Sequence, residues 1–84
     1  MSGYFVYILK SLRDSSYYIG FSTDVERRLK EHNQGQSRYT KLKTPWTVIY
    51  FEEYELKKQA LKREKFLKAQ RNREFYERLA ASKD

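Results

Sequence analysis

Cysteine is missing from this chain, and proline and histidine occur once each, beside only three glycines. The absence of thiols excludes disulfide bonds and thiolate metal sites. No apolar run is long enough for a transmembrane helix, and neither a signal peptide nor a transit peptide is visible. We therefore expect a cytoplasmic protein that does not bind membranes.

Positive charge and aromatic side chains are abundant instead. Eighteen Lys and Arg residues stand against 11 Asp and Glu, which gives the 84 residues a formal charge of +7. Such an excess favours a polyanionic partner, nucleic acid before an anionic membrane. Eight Tyr, five Phe and one Trp argue for a compact fold rather than disorder. The length predicts one domain, residues 1–84.

Hydrophobic periodicity predicts three strands and three helices in the order β-β-α-β-α-α. A short polar segment between the first two strands makes them an antiparallel hairpin. We expect an α+β fold, a small three-stranded antiparallel sheet flanked by helices. The predicted strands span 4–10, 17–21 and 46–54, and the predicted helices span about 24–33, 57–70 and 72–81.

The first predicted helix combines core residues with polar ones. A capping box of Thr23 and Glu26 is expected to start it, and Gly35 is expected to end it. Arg28 and His32 fall on the same face as two apolar residues of this helix. A stripe that mixes core residues with Arg and His indicates a helix that borders a working surface.

The second predicted helix places a carboxylate among apolar residues. Ala60, Leu61 and Leu67 mark its buried face, and Glu64 shares that face, while its Lys and Arg residues largely point outward. An inward carboxylate needs a counter-charge. Two interpretations remain open: a salt bridge to Arg28 or a nearby Lys, or a site for Mg²⁺.

The segment 36–45 is the longest irregular stretch, and it carries basic and aromatic residues. Such loops are common at phosphate-binding surfaces, although a solvated loop explains the composition equally well. Neither zinc-type ligand spacing nor a Gly-rich phosphate loop occurs in the chain. The predicted nucleic-acid contacts are Arg27, Arg38, Tyr39, Lys41 and Lys43.

Five positions together resemble the GIY-YIG nuclease family over almost the whole chain. Phe5-Val6-Tyr7 stands at the first half of the family motif, and Tyr18-Ile19-Gly20 is the second half. Arg28 and His32 follow at the family's spacing, and Glu64 matches its metal-binding glutamate. The likeness is greatest to small stand-alone bacterial members, which are similar to the nuclease domain of the excision-repair incision subunit.

The resemblance implies a metal-dependent endonuclease that hydrolyses DNA phosphodiester bonds, structure-directed or linked to repair. Glu64 would hold Mg²⁺ or Mn²⁺, Arg28 would neutralise charge on the phosphate, and Tyr18 would orient the reacting groups. Either Tyr7 or His32 would take the proton of the attacking water. As isolated residues, Tyr7 and Tyr18 are more typical of core aromatics with a satisfied hydroxyl, and the single His is more typical of a surface or capping residue.

Two departures from the family pattern keep a second interpretation open. Phe5 replaces the glycine of the first motif, and Phe21 stands where several members carry a lysine. The alternative is a non-catalytic nucleic-acid-binding module with the same fold. A third hypothesis is an interaction subunit that uses Phe75, Tyr76 and Leu79, and we expect a monomer or a weak homodimer.

Overall fold

The computed structural model describes residues 3–82 of the chain. In these residues, three strands and three α-helices occur in the predicted order, and a 3-10 turn, Lys41–Lys43, precedes the third strand. The element boundaries agree with the sequence prediction to within one residue. The elements are β1 (Tyr4–Ser11), β2 (Tyr17–Ser22), α1 (Val25–Asn33), β3 (Trp46–Tyr54), α2 (Lys57–Gln70) and α3 (Arg73–Ser82).

The strands form one antiparallel sheet in the order β2-β1-β3, which leaves β2 at an edge. The pairing of β1 with β2 sets Tyr7 opposite Gly20 and Leu9 opposite Tyr18. The predicted α+β fold is therefore confirmed. The register brings the two halves of the sequence motif side by side on neighbouring strands.

Both faces of β1 are covered, because four consecutive residues from Val6 to Leu9 are buried. Val6 and Ile8 pack under α2 and α3, whereas Tyr7 and Leu9 pack on the side of α1. Side chains alternate between the faces of a strand, so a buried central strand supplies two separate cores. We call these the α2 face and the α1 face.

Helix α1 is capped one residue later than the sequence predicted. Asp24, rather than Thr23, is the N-cap, and its carboxylate accepts a hydrogen bond from the Arg27 backbone N–H at 3.0 Å. The amide of Asp24 is itself held by the Ser22 hydroxyl, which selects this residue for the cap. Gly35 ends the helix as predicted, with φ 80°, a conformation that glycine adopts at low cost.

Two predictions on α2 are wrong. Leu61 is 41% exposed, so it does not belong to the buried face with Ala60 and Leu67. Arg63 does not point freely outward, because its guanidinium donates two 2.9 Å hydrogen bonds to the Glu52 carboxylate on β3. This ion pair ties the helix to the sheet.

Helix α3 completes the α2 face. The Asn72 carboxamide accepts a hydrogen bond from the Phe75 N–H and caps the helix, while Tyr76 is buried and bonds the Leu67 carbonyl at 2.7 Å. Phe75 and Leu79 pack against the same core. The three residues of the interaction-subunit hypothesis thus contact the chain's own core. Within residues 3–82, no helix has the length and apolarity to cross a bilayer.

Candidate functional site

Four of the five residues singled out in the sequence meet on the α1 face beside the edge strand β2. Tyr7 comes from β1, Tyr18 from β2, and Arg28 and His32 from α1. The Tyr18 ring lies 4.7 Å from the His32 ring and 6.5 Å from the Tyr7 ring, measured between centroids. Spacing i, i+4 on α1 brings its two residues to one side of the helix. We call these four residues the polar cluster.

His32 lies at the centre of the polar cluster and is fully buried. Its Nε2 is 3.4 Å from the Tyr7 hydroxyl and 3.5 Å from Nη2 of Arg28. Its Nδ1 is 2.8 Å from Oγ1 of Thr40, which is also fully buried. Both ring nitrogens therefore face a polar group.

These neighbours assign the tautomer of His32. A guanidinium only donates hydrogen bonds, so Nε2, which faces Arg28, is the accepting nitrogen. Nδ1 then carries the proton and donates it to the Thr40 hydroxyl. The Tyr7 hydroxyl is left facing an acceptor. This arrangement suits transfer of a proton from tyrosine to histidine.

Burial shifts the pKa values of His32 and Tyr7 in opposite directions. It lowers the pKa of His32, and the positive charge of Arg28 lowers it further, against a smaller opposing effect of Glu31. Burial raises the pKa of Tyr7, and the Arg28 guanidinium offsets only part of that rise. Near neutral pH the histidine is uncharged and the tyrosine keeps its proton.

Gly20 gives the Tyr7 hydroxyl its position. A Cβ atom at residue 20 would lie 2.4 Å from the Tyr7 hydroxyl oxygen, closer than any real side chain approaches. The missing side chain therefore opens the space that the hydroxyl occupies on the neighbouring strand. This explains physically why a glycine follows Tyr18-Ile19.

Arg28 and Tyr18 form the accessible side of the polar cluster. The Arg28 side chain is 31% exposed and makes a short ion pair with Glu31, one turn along α1. Tyr18 is half-buried, whereas Tyr7 and His32 are almost wholly covered. An anion approaching the cluster meets the guanidinium and the Tyr18 ring first.

Glu64, the fifth residue, approaches from the other side of the sheet edge. Its side chain is 18% exposed, and Oε2 lies 3.2 Å from the Lys68 ammonium. Its charge contributes to raising the Tyr7 pKa, which places it within electrostatic range of the polar cluster. Of the two sequence interpretations, the salt bridge to a nearby Lys is present.

A divalent metal is compatible with Glu64, although no group of three or more acidic or His side chains in residues 3–82 is arranged to hold one. Mg²⁺ is commonly held by one or two carboxylates and completed by water and phosphate oxygens. The partly exposed Glu64 carboxylate can supply one such oxygen.

The predicted nucleic-acid contacts lie outside the polar cluster, on the surface. Arg38 and Lys41 are exposed, and the Tyr39 ring, 54% exposed, lies 6.1 Å from the Tyr18 ring. Arg27 pairs with Glu31 at 3.2 Å. Lys43 pairs with Asp14 at 2.9 Å, which ties the irregular segment to the β1–β2 turn.

The two departures from the family pattern lie away from the polar cluster. The Phe5 ring packs edge-on against Phe51 at 6.0 Å, and the Phe21 ring stacks on Tyr4 at 6.1 Å. Phe21 packs on the α2 face, opposite to the polar cluster. Both rings therefore fill apolar space.

Thr40 is a site residue that the sequence analysis missed as an individual position. Its hydroxyl faces His32, and its carbonyl accepts a 2.9 Å hydrogen bond from the Trp46 indole N–H. The sequence left the irregular segment open as either a phosphate-binding surface or a solvated loop, and both interpretations place it on the outside, yet Thr40 is fully buried. The sequence signal for an inward fold is Trp46, an aromatic residue that follows Pro45 at the end of the segment and can anchor it to the core.

Comparisons with known proteins cover most of the chain. The sequence model described as the GIY-YIG catalytic domain matches residues 3–78. UPF0213 proteins of Staphylococcus aureus strains Mu3 and N315 are 48% identical over 65 residues, covering 76% of this chain and 78% of theirs. The solution structure of a UPF0213 protein from Bacillus halodurans is 30% identical with a TM-score of 0.58, covering 95% of this chain and 85% of that one.

These matches confirm the family resemblance drawn from the motif residues. A match over residues 3–78 includes every element that builds the polar cluster, together with Glu64. A nuclease-type function on nucleic acid follows at the level of the family. The chain belongs to the GIY-YIG catalytic domain family, and the relatives named above are UPF0213 proteins.

Proposed function

We propose that this protein is a metal-dependent endonuclease that hydrolyses DNA phosphodiester bonds, with Mg²⁺ or Mn²⁺ bound at Glu64. The observation that carries the proposal is that a neutral His32 lies within 3.5 Å of both Tyr7 and Arg28, with Glu64 in electrostatic range of Tyr7. Phosphodiester hydrolysis needs an activated water and fixed positive charge at the phosphate. The polar cluster offers both.

Tyr7 and His32 act together as the base in this proposal. The attacking water gives its proton to the Tyr7 oxygen while the Tyr7 hydroxyl proton passes to Nε2 of His32. Tyrosine ends neutral, and histidine ends as an imidazolium whose Nδ1–H stays bonded to Thr40. The relay suits a fully buried histidine, because His32 then needs no direct contact with the water.

Arg28 and Tyr18 contact the phosphate in this proposal. The partly exposed guanidinium neutralises the charge that grows on the phosphate oxygens, and the Tyr18 hydroxyl orients the phosphate. Bound metal would supply further positive charge to the same phosphate. Arg27, Arg38, Tyr39, Lys41 and Lys43 would hold the flanking strand.

The test is cleavage of labelled single-stranded, duplex, flap and branched DNAs with and without Mg²⁺ or Mn²⁺. Glu64→Gln and Arg28→Ala should each lose activity roughly 100-fold or more. Glu74→Gln is the matched control, since Glu74 is an exposed carboxylate whose side chain is 83% accessible. Wild-type rates in both site variants would refute the proposed mechanism.

A non-catalytic nucleic-acid-binding module is the second candidate, and the Lys68–Glu64 ion pair favours it. A carboxylate neutralised by Lys68 at 3.2 Å is satisfied without metal. This candidate predicts salt-sensitive binding and no metal-dependent product on any DNA of the panel. Cleavage that disappears in Glu64→Gln would exclude it.

A structure-directed or repair-linked role belongs to the same proposal, as do a cytoplasmic location and a single domain over 1–84. We further propose that the protein acts as a monomer or a weak homodimer. Light scattering over a range of concentrations tests the oligomeric state directly. A stable higher oligomer would contradict this part of the proposal.

A further inference from the structure

A cleft of about 520 Å³ runs beside the beginning of the edge strand β2, next to the polar cluster. Its volume falls within the range of pockets that hold small organic ligands, roughly 300–1,000 Å³. One wall is formed by β2 and Tyr39, and the other by the junction between α2 and α3. Its lining includes Tyr18, Tyr39, Lys68, Arg71 and Arg73.

The charged side chains that line the cleft are all cationic: Lys68, Arg71 and Arg73. Within residues 3–82, neither Arg71 nor Arg73 has a carboxylate at ion-pair distance. Arg73 does lie over the Tyr17 ring, 6.0 Å from its centroid, and its charge helps to lower the pKa of Glu77. Guanidinium groups around a concave surface attract anions, and they bind phosphate in a directed way. The cleft is therefore suited to a phosphate-bearing ligand.

Aromatic rings complete the cleft. Tyr39 is 54% exposed, although the Lys43 ammonium lies 5.8 Å from its ring centroid. Its ring is tilted by 32° to that of Tyr18 at 6.1 Å. An exposed ring beside fixed cations is the combination on which unpaired nucleotide bases stack. Paired bases inside a duplex are already stacked on one another and present mainly their phosphates.

The cleft is continuous with the polar cluster at two points. Tyr18 lines the cleft and also stands 4.7 Å from the His32 ring. Lys68 lines the cleft and also contacts Glu64 at 3.2 Å. A strand lying in the cleft would thus lead its next phosphate directly to Arg28 and Glu64.

The backbone at the α2–α3 junction gives a second observation. Arg71 adopts a left-handed conformation, φ 45° and ψ 45°, which is unfavourable for any residue except glycine and, to a lesser degree, asparagine. Its N–H is held by the Tyr76 hydroxyl at 3.2 Å. Strain of this kind concentrates at functional positions. An arginine here is consistent with a side chain that is needed in the cleft.

We propose that this cleft binds the unpaired nucleotides of a single-stranded segment next to the scissile phosphate, with a base stacked on Tyr39 and phosphates held by Arg71 and Arg73. The position of the scissile phosphate rests on the proposed nuclease function. The substrate is then a single strand or a duplex with a single-stranded flap. Fully paired duplex lacks the free base that the cleft recognises.

The experiment measures fluorescence anisotropy of a labelled single strand of about 12 nucleotides and of the corresponding duplex, in EDTA so that no cleavage occurs. Tyr39→Ala should weaken single-strand binding about tenfold, whereas Tyr39→Phe should retain it. Arg71→Gly should weaken it severalfold without straining the backbone, because glycine accepts the left-handed conformation. Lys62→Ala, an exposed cation of α2 outside the cleft, is the matched control.

Three outcomes separate this proposal from the nuclease assignment. Unchanged single-strand binding in Tyr39→Ala and Arg71→Gly, with cleavage intact, would overturn the cleft and leave the nuclease standing. Equal losses for single strand and duplex would overturn recognition of an unpaired base. Selective loss for the single strand supports the cleft, even if a separate cleavage assay of the wild type with Mg²⁺ and Mn²⁺ shows no product and refutes the nuclease.

Discussion

The two faces of the sheet are both covered by helix, but the side chains beneath them differ in kind. On the α2 face the buried cluster is apolar apart from one tyrosine hydroxyl, and it contains Val6, Ile8 and Leu67. On the α1 face the buried residues include the polar pair His32 and Thr40, and Tyr7 lies with them. Helix α2 also influences the α1 face, because the charge of Glu64 helps to raise the pKa of Tyr7.

The difference separates stability from chemistry. Apolar burial stabilises the fold without directional demands, so the buried apolar residues of the α2 face tolerate no cavity but do not themselves depend on fixed hydrogen bonds. A buried polar cluster stabilises only when every member is paired, and it fixes the positions and charge states of its members. Substitutions on the α2 face should therefore change mainly the stability, whereas substitutions on the α1 face should also change the positions and charge states of the site residues.

The largest effect on stability is expected on the α2 face. Leu67→Ala removes a fully buried side chain and should lower the free energy of unfolding by about 2–5 kcal/mol. Leu61→Ala is the matched control on the same helix, and it should cost less than about 1 kcal/mol because Leu61 is 41% exposed. Urea denaturation measures both. Equal losses would show that the two positions are packed alike.

On the α1 face, Thr40→Val should leave the shape of the core unchanged and remove one hydrogen bond. The Nδ1–H of His32 would then be buried without an acceptor, which costs about 1–3 kcal/mol. We also expect slower cleavage with an altered pH profile, since the tautomer of His32 is no longer fixed. Thr40→Ser keeps the hydroxyl and should restore both properties. A valine variant that matches the wild type in stability and pH profile would remove Thr40 from the site.

The sequence was sufficient for the fold and for the residues that meet in the polar cluster. Alternation in β1, the turn residues before β2 and the i, i+4 spacing of Arg28 and His32 are local signals, and each carries through to the structure. Helical spacing singled out Glu64 as an inward carboxylate, and the family resemblance added its expected metal-binding role. These signals need only a few neighbouring residues to be read.

What the sequence did not predict depends on contacts between distant segments. The burial of Thr40 needs His32 from one side and Trp46 from the other. Arg63 turns toward the sheet because Glu52 on β3 offers it a carboxylate. No periodicity within one element contains this information, since each pair joins two elements.

The pH dependence of stability is a smaller effect, and it arises from His32 on the α1 face. Because burial lowers the pKa of His32 below its unfolded value of about 6.5, the unfolded chain binds the proton more readily. The stability that neutral His32 contributes to the folded protein is fully present above about pH 6.5 and is lost as the pH falls through the pKa of His32 in the folded state. The slope of the free energy of unfolding against pH should be at most about 1.4 kcal/mol per pH unit.

Unfolding by urea between about pH 7.5 and 5.5 measures this dependence, and His32→Gln provides the comparison because it keeps hydrogen-bonding groups but does not titrate. The lowered pKa values of Glu31 and Glu52 act below about 4.5, outside the window. The wild type should lose stability toward pH 5.5, and the variant should be flatter. Parallel curves for the two proteins would show that His32 does not titrate there.

The smallest expected effect is a gain in stability at the α2–α3 junction. Arg71→Gly removes the strain of a left-handed arginine, which should stabilise the folded state by about 1–2 kcal/mol. Glycine also gives the unfolded chain more conformational freedom, which costs about 0.5–1 kcal/mol of stability. A net gain of up to about 1 kcal/mol should accompany the loss of single-strand binding. Gln70→Gly, one residue earlier and helical, should instead be destabilising. Opposite signs at adjacent positions would show that the fold sacrifices stability at Arg71 to place a cation beside the polar cluster, whereas equal losses would show that this backbone carries no strain.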